Sequence, residues 1–217
     1  TRSSNGTYID SAGIIKTSYK NFVANSETFN SGWTVNNGSI TANSDIAPDG
    51  TQTADKYTPD TVSNTNHLVY KVLSGNGTIS IYAKAAGYNY LNLVSQTSTS
   101  GASNRGAQFN LSNGTVTVTQ NATAEIVDVG NSWYRCIVKP TSGTQAYFMI
   151  NPSSTADHTN LRADYAGNNS SGVLLWGAMQ TDDVNNVGEY ATTTGTLNSA
   201  PRFTHDPTTL ESLGLLI

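Results

Sequence analysis

An all-β fold, an antiparallel β-sandwich with a β-hairpin at each end, is what this sequence predicts, on three observations. Apolar and polar residues alternate with period two through a series of short runs. Asn-Gly, Asp-Gly or Gly-rich pairs close those runs at short intervals. Helical periodicity is nowhere sustained beyond a turn or two.

The composition agrees. Of 217 residues, 36% are hydrophobic and only 12% charged, so disorder driven by charge is excluded. Thr and Tyr suit a pleated surface, and Asn and Gly accept the positive φ angles of tight turns. The single cysteine, Cys136, permits no intrachain disulfide and no Cys-based metal cage. It lies in the apolar run 134–138 and reads as a small buried hydrophobe.

Taken in order, Thr7-Tyr8-Ile9-Asp10 and Ile14-Ile15-Lys16-Thr17 flank Ser11-Ala12-Gly13, a predicted hairpin. The predicted strands of the sandwich then cover 39–42, 53–58, 67–73, 78–84, 89–95, 107–111 and 115–119, followed by 124–129, 133–139, 145–151 and 173–179. Turns are predicted at Asn37-Gly38, Asp49-Gly50, Asn76-Gly77, Asn113-Gly114 and Gly130-Asn131. Residues 201–207 and 211–217 form the last hairpin. The expected division is therefore a sandwich over 19–197, with 1–18 and 198–217 as one discontinuous flanking module.

Alternation assigns faces. Ile79, Ile81 and Ala83 belong to the core, as do Leu91 with Leu93, Phe109 with Leu111, and Tyr134 with Cys136 and Val138. The opposite parity turns Tyr82, Tyr90, Asn92, Gln108, Trp133, Arg135 and Lys139 outward, as on an antiparallel sheet with one wet face. Trp33 and Trp176 read as core or rim packing.

The net charge of −4 leaves no basic stripe for duplex nucleic acid. No apolar run approaches the roughly 20 residues that span a bilayer. The chain starts at Thr1 without a signal-like segment and stops on Leu215-Leu216-Ile217, which reads as a piece of a longer polypeptide.

Two resemblances rest on quotable residues. Asn25-Ser26-Glu27-Thr28-Phe29 with Trp33, Ala47-Pro48-Asp49-Gly50-Thr51 and Ile81-Tyr82-Ala83-Lys84-Ala85 recur in order with Phe109-Asn110-Leu111-Ser112-Asn113-Gly114, Val129-Gly130-Asn131-Ser132-Trp133-Tyr134-Arg135-Cys136 and Leu175-Trp176-Gly177-Ala178-Met179-Gln180. This set resembles the concanavalin-like or carbohydrate-binding jelly rolls of phage tail-fibre and head-fibre proteins. The halves 1–18 and 198–217, with Pro201-Arg202-Phe203, His205-Asp206-Pro207 and Glu211-Ser212-Leu213-Gly214-Leu215-Leu216-Ile217, resemble a short phage virion motif whose halves usually lie side by side. Here the sandwich stands between them, as though inserted into a loop.

The resemblance implies a virion-surface structural protein of a tail fibre, tail spike or head fibre, a homotrimer in contact with other virion proteins. It also implies contact with a host-surface glycan without chemical turnover. The candidate contact set is Tyr82, Tyr90, Asn92, Gln108, Trp133 and Arg135, aromatic faces beside amides and a guanidinium; interface anchoring or cover by a loop is the other reading. Jelly-roll modules of this kind often carry structural calcium between first and last strands. Glu27, Asp182 and Asp183 are the candidate ligands, a solvated turn being the alternative. No other cofactor is expected.

A non-enzymatic chain is expected from the residues as well. His67, His158 and His205 lack spaced metal partners, no nucleophile sits in a Gly-x-Ser-x-Gly turn, and 101–106 does not open a helix as a phosphate loop would. Four glutamates, Glu27, Glu125, Glu189 and Glu211, leave a glycosidase pair open. The alternatives are a carbohydrate-binding module of a bacterial glycoside-acting enzyme and a purely architectural decoration protein.

Overall fold

A computed structural model of the chain describes residues 6–9, 13–96, 104–141, 145–156, 161–162, 164–194, 202–205 and 212–216. His158, Glu211 and the 101–103 loop lie outside the described residues, as do the side chains of the C-terminal hairpin, His205 among them.

The first strands are β1 (Gly6–Ile9), β2 (Ile15–Ser18), β3 (Thr34–Asn36), β4 (Gly38–Asp45), β5 (Ala54–Pro59) and β6 (Thr65–Asn66). Then come β7 (Leu68–Gly75), β8 (Ile79–Ala86), β9 (Tyr90–Gln96), β10 (Arg105–Asn110), β11 (Thr115–Gln120) and β12 (Ala122–Gly130). The last are β13 (Trp133–Pro140), β14 (Gln145–Ser153), β15 (Asp164–Tyr165), β16 (Gly172–Gln180), β17 (Arg202–His205) and β18 (Ser212–Leu216). No helix occurs among the described residues, and so none long and apolar enough to cross a membrane.

Two six-stranded sheets pack face to face. The first has the order β11-β10-β9-β14-β7-β3, the second β12-β13-β8-β16-β5-β4. Every ladder within them is antiparallel. Successive strands β7, β8 and β9 alternate between sheets, so β14 settles between β9 and β7, and β8 between β13 and β16. This antiparallel β-sandwich is the fold class that the alternation predicts. The eleven strands expected inside the sandwich are all present, and β3, β6 and β15, too short for a periodic signal, are additions. The flanking hairpins pair β1 with β2 and β17 with β18, and β1 lies against β17.

The predicted parity holds where it can be checked. Ile79, Ile81, Ala83, Leu91, Leu93, Ala107, Phe109, Cys136, Val138, Phe148, Ile150, Val173 and Leu175 fill one apolar layer between the sheets. Cys136 is fully buried and burial pushes its thiol well up, so it packs as an alkyl group rather than reacting. Among the described residues, seven of the nine non-glycine positions with positive φ are Asn, including Asn37, Asn121 and Asn131. The abundance of Asn is thus turn chemistry. Gly77 is needed for another reason: a Cβ there would sit 1.7 Å from the carbonyl oxygen of Thr181.

The segment entering the sandwich and the segment leaving it are knitted together. The amide of fully buried Asn21 donates to the carbonyls of Ala178 (3.0 Å) and Ala191 (2.8 Å) and accepts from the backbone N–H of Val23 and Gln180. The N–H of Phe22 donates to Gln180 and that of Asn25 to Thr194. The N–H of Thr193 donates to Ser26 Oγ at 2.8 Å.

Outward parity proves not to mean solvent. Asn92 and Gln108 point away from the core yet are fully buried. They belong to an amide ladder in which Thr117 donates to Gln108 (2.8 Å), Gln108 to Asn92 (3.1 Å), Asn92 to Asn151 (3.0 Å) and Asn151 to the carbonyl of His67 (2.8 Å). The same face is covered where Leu161 packs on Val94 and Met149.

Candidate functional site

The predicted contact residues separate into two groups. Asn92 and Gln108 are committed to the amide ladder of the first sheet, where half-buried Tyr90 opens β9 beside them. Trp133 is also withdrawn: it is 1% exposed, its Nε1 donates to the carbonyl of Ile46 at 3.1 Å, and the 45–53 loop folds over it with Ala47 and Ala54. These three therefore present no surface to a glycan, because chain from elsewhere covers both outer faces. Tyr82 and Arg135 remain, brought together on the outer face of the second sheet.

Their meeting follows from register. Arg135 on β13 stands directly opposite Tyr82 on β8, and the guanidinium carbon lies 5.4 Å from the ring centroid. Tyr82 packs edge-on against Trp176 (5.2 Å) and Tyr190 (5.9 Å). Beside this cluster runs a groove of about 590 Å³. Arg135 and Ile137 form its floor, the edge strand β12 supplies Glu125, Val127 and Val129 as one wall, and Asn186, Val187, Gly188 and Glu189 form the other; Ile15, Tyr19 and Lys139 complete it.

The loop wall is held from three sides. Asp183 accepts the N–H of Asn185 (2.7 Å) and Asn186 (3.2 Å) and the hydroxyl of Tyr19 (2.9 Å). Arg135 donates to the carbonyl of Gly188 at 2.7 Å while its other nitrogens reach Ser80 Oγ. Val187 packs with Tyr19, Ile137 and Met179. Gly188 has φ +63°, and a Cβ there would lie 2.2 Å from the Tyr19 ring.

Burial pushes the Arg135 guanidinium down, against Tyr82, Glu125 and Glu189, which favour its charged form. Its donors are spent on the protein, so Arg135 is a positioning residue. The polar groups that face a ligand include Glu125 and Lys139, which pair at 3.3 Å, Asn186 and Glu189.

The bond from the Asn185 N–H, with those from Tyr19 and Asn186, holds the Asp183 carboxyl below its usual 3.8, outweighing the opposing effect of burial. A lowered acid contributes stability that is fully present above the unfolded value and is lost as pH falls through the folded one. Acidification from pH 5 to pH 2 is therefore expected to loosen the 183–190 wall. Protection factors of the Asn185 and Asn186 amides, corrected for the intrinsic rate at each pH, should fall in the native chain at pH 2 to those of Asp183→Asn at pH 7.

The candidate calcium ligands do not assemble. Glu27 accepts the hydroxyl of Tyr190 at 2.9 Å, and Asp183 is engaged in its turn. Among the described residues no three His, Cys, Asp or Glu side chains are grouped as a metal site would require. The entering and leaving segments do run together, as that expectation assumed, but hydroxyls and amides make the junction.

Val127 and Val129 were not legible as site residues, and Glu125 and Glu189 were legible only among the four glutamates that left a glycosidase pair open. Two exposed valines alternating with Glu125 on β12 were the available signal; nothing in the sequence tells that the 183–190 loop faces them. No protein-family model matches the chain, and no curated protein is significantly similar to it.

Proposed function

We propose that the chain is a surface-exposed structural and attachment module of a bacteriophage particle, of the tail-fibre, tail-spike or head-fibre kind. Its groove between β12, β13 and the 183–190 loop holds a host-surface glycan without chemical turnover. The observation that carries this reading is the groove itself: an open channel on a rigid sheet, apolar along Val127 and Val129, with Glu125, Glu189 and Lys139 available to sugar hydroxyls. The ordered motifs from Asn25 to Gln180 support the fibre setting. In a three-fold fibre, three shallow grooves engaged together would multiply a weak individual affinity.

Val127 is 37% exposed, so Val127→Lys should leave folding intact while filling the groove. Binding to an array of bacterial surface polysaccharides is expected to fall at least about tenfold in Val127→Lys and in Glu189→Ala, each removing contacts of roughly 1.4 kcal/mol or more. Unchanged binding in both would remove the groove from the account. Glu125 and Glu189 both face the channel, which favours a second reading, glycoside hydrolysis. Release of reducing ends from the bound polysaccharide, abolished in Glu189→Gln, would replace attachment with that reading.

A further inference from the structure

The kind of ligand the groove accepts follows from which of its groups are still open. Two aromatic rings line it among the described residues, Tyr19 and Tyr82. The Arg135 guanidinium lies over the Tyr82 ring, which Trp176 and Tyr190 crowd from other sides. Tyr19 is buried, its hydroxyl donating to Asp183 and its ring lying against Gly188. Neither offers the open flat face on which a bare pyranose stacks. What is open is aliphatic: Ile15, Val127 and Val129 are exposed on the groove, and branched alkyl groups bury a methyl substituent well.

The charges balance. Among the described residues Arg135 and Lys139 stand against Glu125 and Glu189, Glu125 pairs with Lys139 at 3.3 Å, and the Arg135 donors are spent on Gly188 and Ser80. With the set already neutral, no net field draws a charged sugar of either sign. Exposed Asn186 accepts the N–H of Gly188 at 3.0 Å through its Oδ1, which leaves its NH2 as a donor toward the groove. Glu189, exposed on the same wall, is an acceptor. An amide donor, a carboxylate acceptor and an aliphatic wall complement the carbonyl oxygen, the N–H and the methyl of an acetamido group.

We infer that the groove selects an uncharged glycan by the N-acetyl group of one of its sugars. The methyl lies on Val127 and Val129, the carbonyl oxygen accepts from Asn186 Nδ2, and the N–H donates to the Glu189 carboxylate. This inference rests on the attachment reading and specifies its ligand.

An array of bacterial surface polysaccharides of known composition tests it on the native chain. Binding is expected only to uncharged polysaccharides that contain N-acetylated sugars, and to change by less than about twofold between low and high salt. Removing the N-acetyl groups of a bound polysaccharide should weaken it at least about tenfold. Re-acetylation should restore it, and N-formylation, which returns the amide without the methyl, should fall about three- to fourfold short. Asn186→Asp keeps the acceptor for Gly188 and removes the donor, so it should lose about tenfold, with thermal unfolding as the check that it folds. Equal binding of the acetylated and de-N-acetylated forms, binding confined to charged or acetamido-free polysaccharides, or an unaffected Asn186→Asp overturns the inference and leaves the attachment reading standing. No binding anywhere on the array overturns both.

Discussion

Trp133→Ala is expected to lower stability by about 3–5 kcal/mol, the range for deleting a large buried aromatic side chain. For a chain of this size that is a fall in Tm of roughly 6–20 °C. The effect has two parts. The indole is 1% exposed and packs with Ala47, Ala54, Leu174 and Trp176, so truncation opens a cavity beneath the 45–53 loop. It also leaves the carbonyl of Ile46 without its donor. Trp133→Phe, which keeps most of the apolar surface, should lose less than half as much, and on the proposed attachment reading its polysaccharide binding should equal that of the native chain. Denaturant unfolding followed by Trp fluorescence measures both. Loss of binding in a fully folded Trp133→Phe would return this residue to the ligand surface and contradict its burial.

Asn21→Ala is the second large effect. One side chain makes four hydrogen bonds to backbone groups of three segments, all buried. Removing it strands two carbonyls and two N–H groups, each worth about 1–3 kcal/mol when buried without a partner. With partial relaxation the loss is expected at about 3–5 kcal/mol. Asn21→Asp discriminates further, because a carboxylate keeps the two acceptor contacts but faces the carbonyls of Ala178 and Ala191 without a donor. Its stability should rise on acidification, as the protonated acid regains one donor. Hydrogen exchange should place the opening at 19–26 and 178–194 while the centre of β8 stays protected. Uniform exchange throughout the sandwich would show that the clamp is not a separate unit.

Alternation was enough to read β8, β9, β10 and β13 and their buried sets, because a period of two on a two-faced sheet leaves a residue only two places to point. It could not read exposure. Trp133 and Asn92 do turn away from the core, yet the 45–53 loop covers one and the amide ladder and Leu161 surround the other. Which loop folds back over which face depends on contacts between residues more than 80 positions apart, such as Trp133 with Ile46, and leaves no local pattern. Tyr82 and Arg135 were legible as an outward pair for the same reason that Arg135 is unavailable to a ligand: both face the space in which the 183–190 loop settles. The calcium candidates did not converge for a finer reason. Glu27 and Asp183 do lie on the joined segments, but the hydroxyls of Tyr190 and Tyr19 each donate to one of their oxygens, and no third acidic or His side chain joins them among the described residues.

The junction centred on Asn21 also determines how the chain carries tension. A pull transmitted from the N-terminal hairpin to the C-terminal one enters at Tyr19 and leaves at Thr194, on two segments already bridged by Asn21, Phe22, Asn25 and Ser26. The bridge lies in parallel with the whole sandwich, so it takes the load first and the sheets behind it stay slack. Under such a pull this chain would yield first at these few hydrogen bonds, and because Tyr19 and the 183–190 wall belong to the bridged segments, the groove would open with them while the two sheets stayed paired.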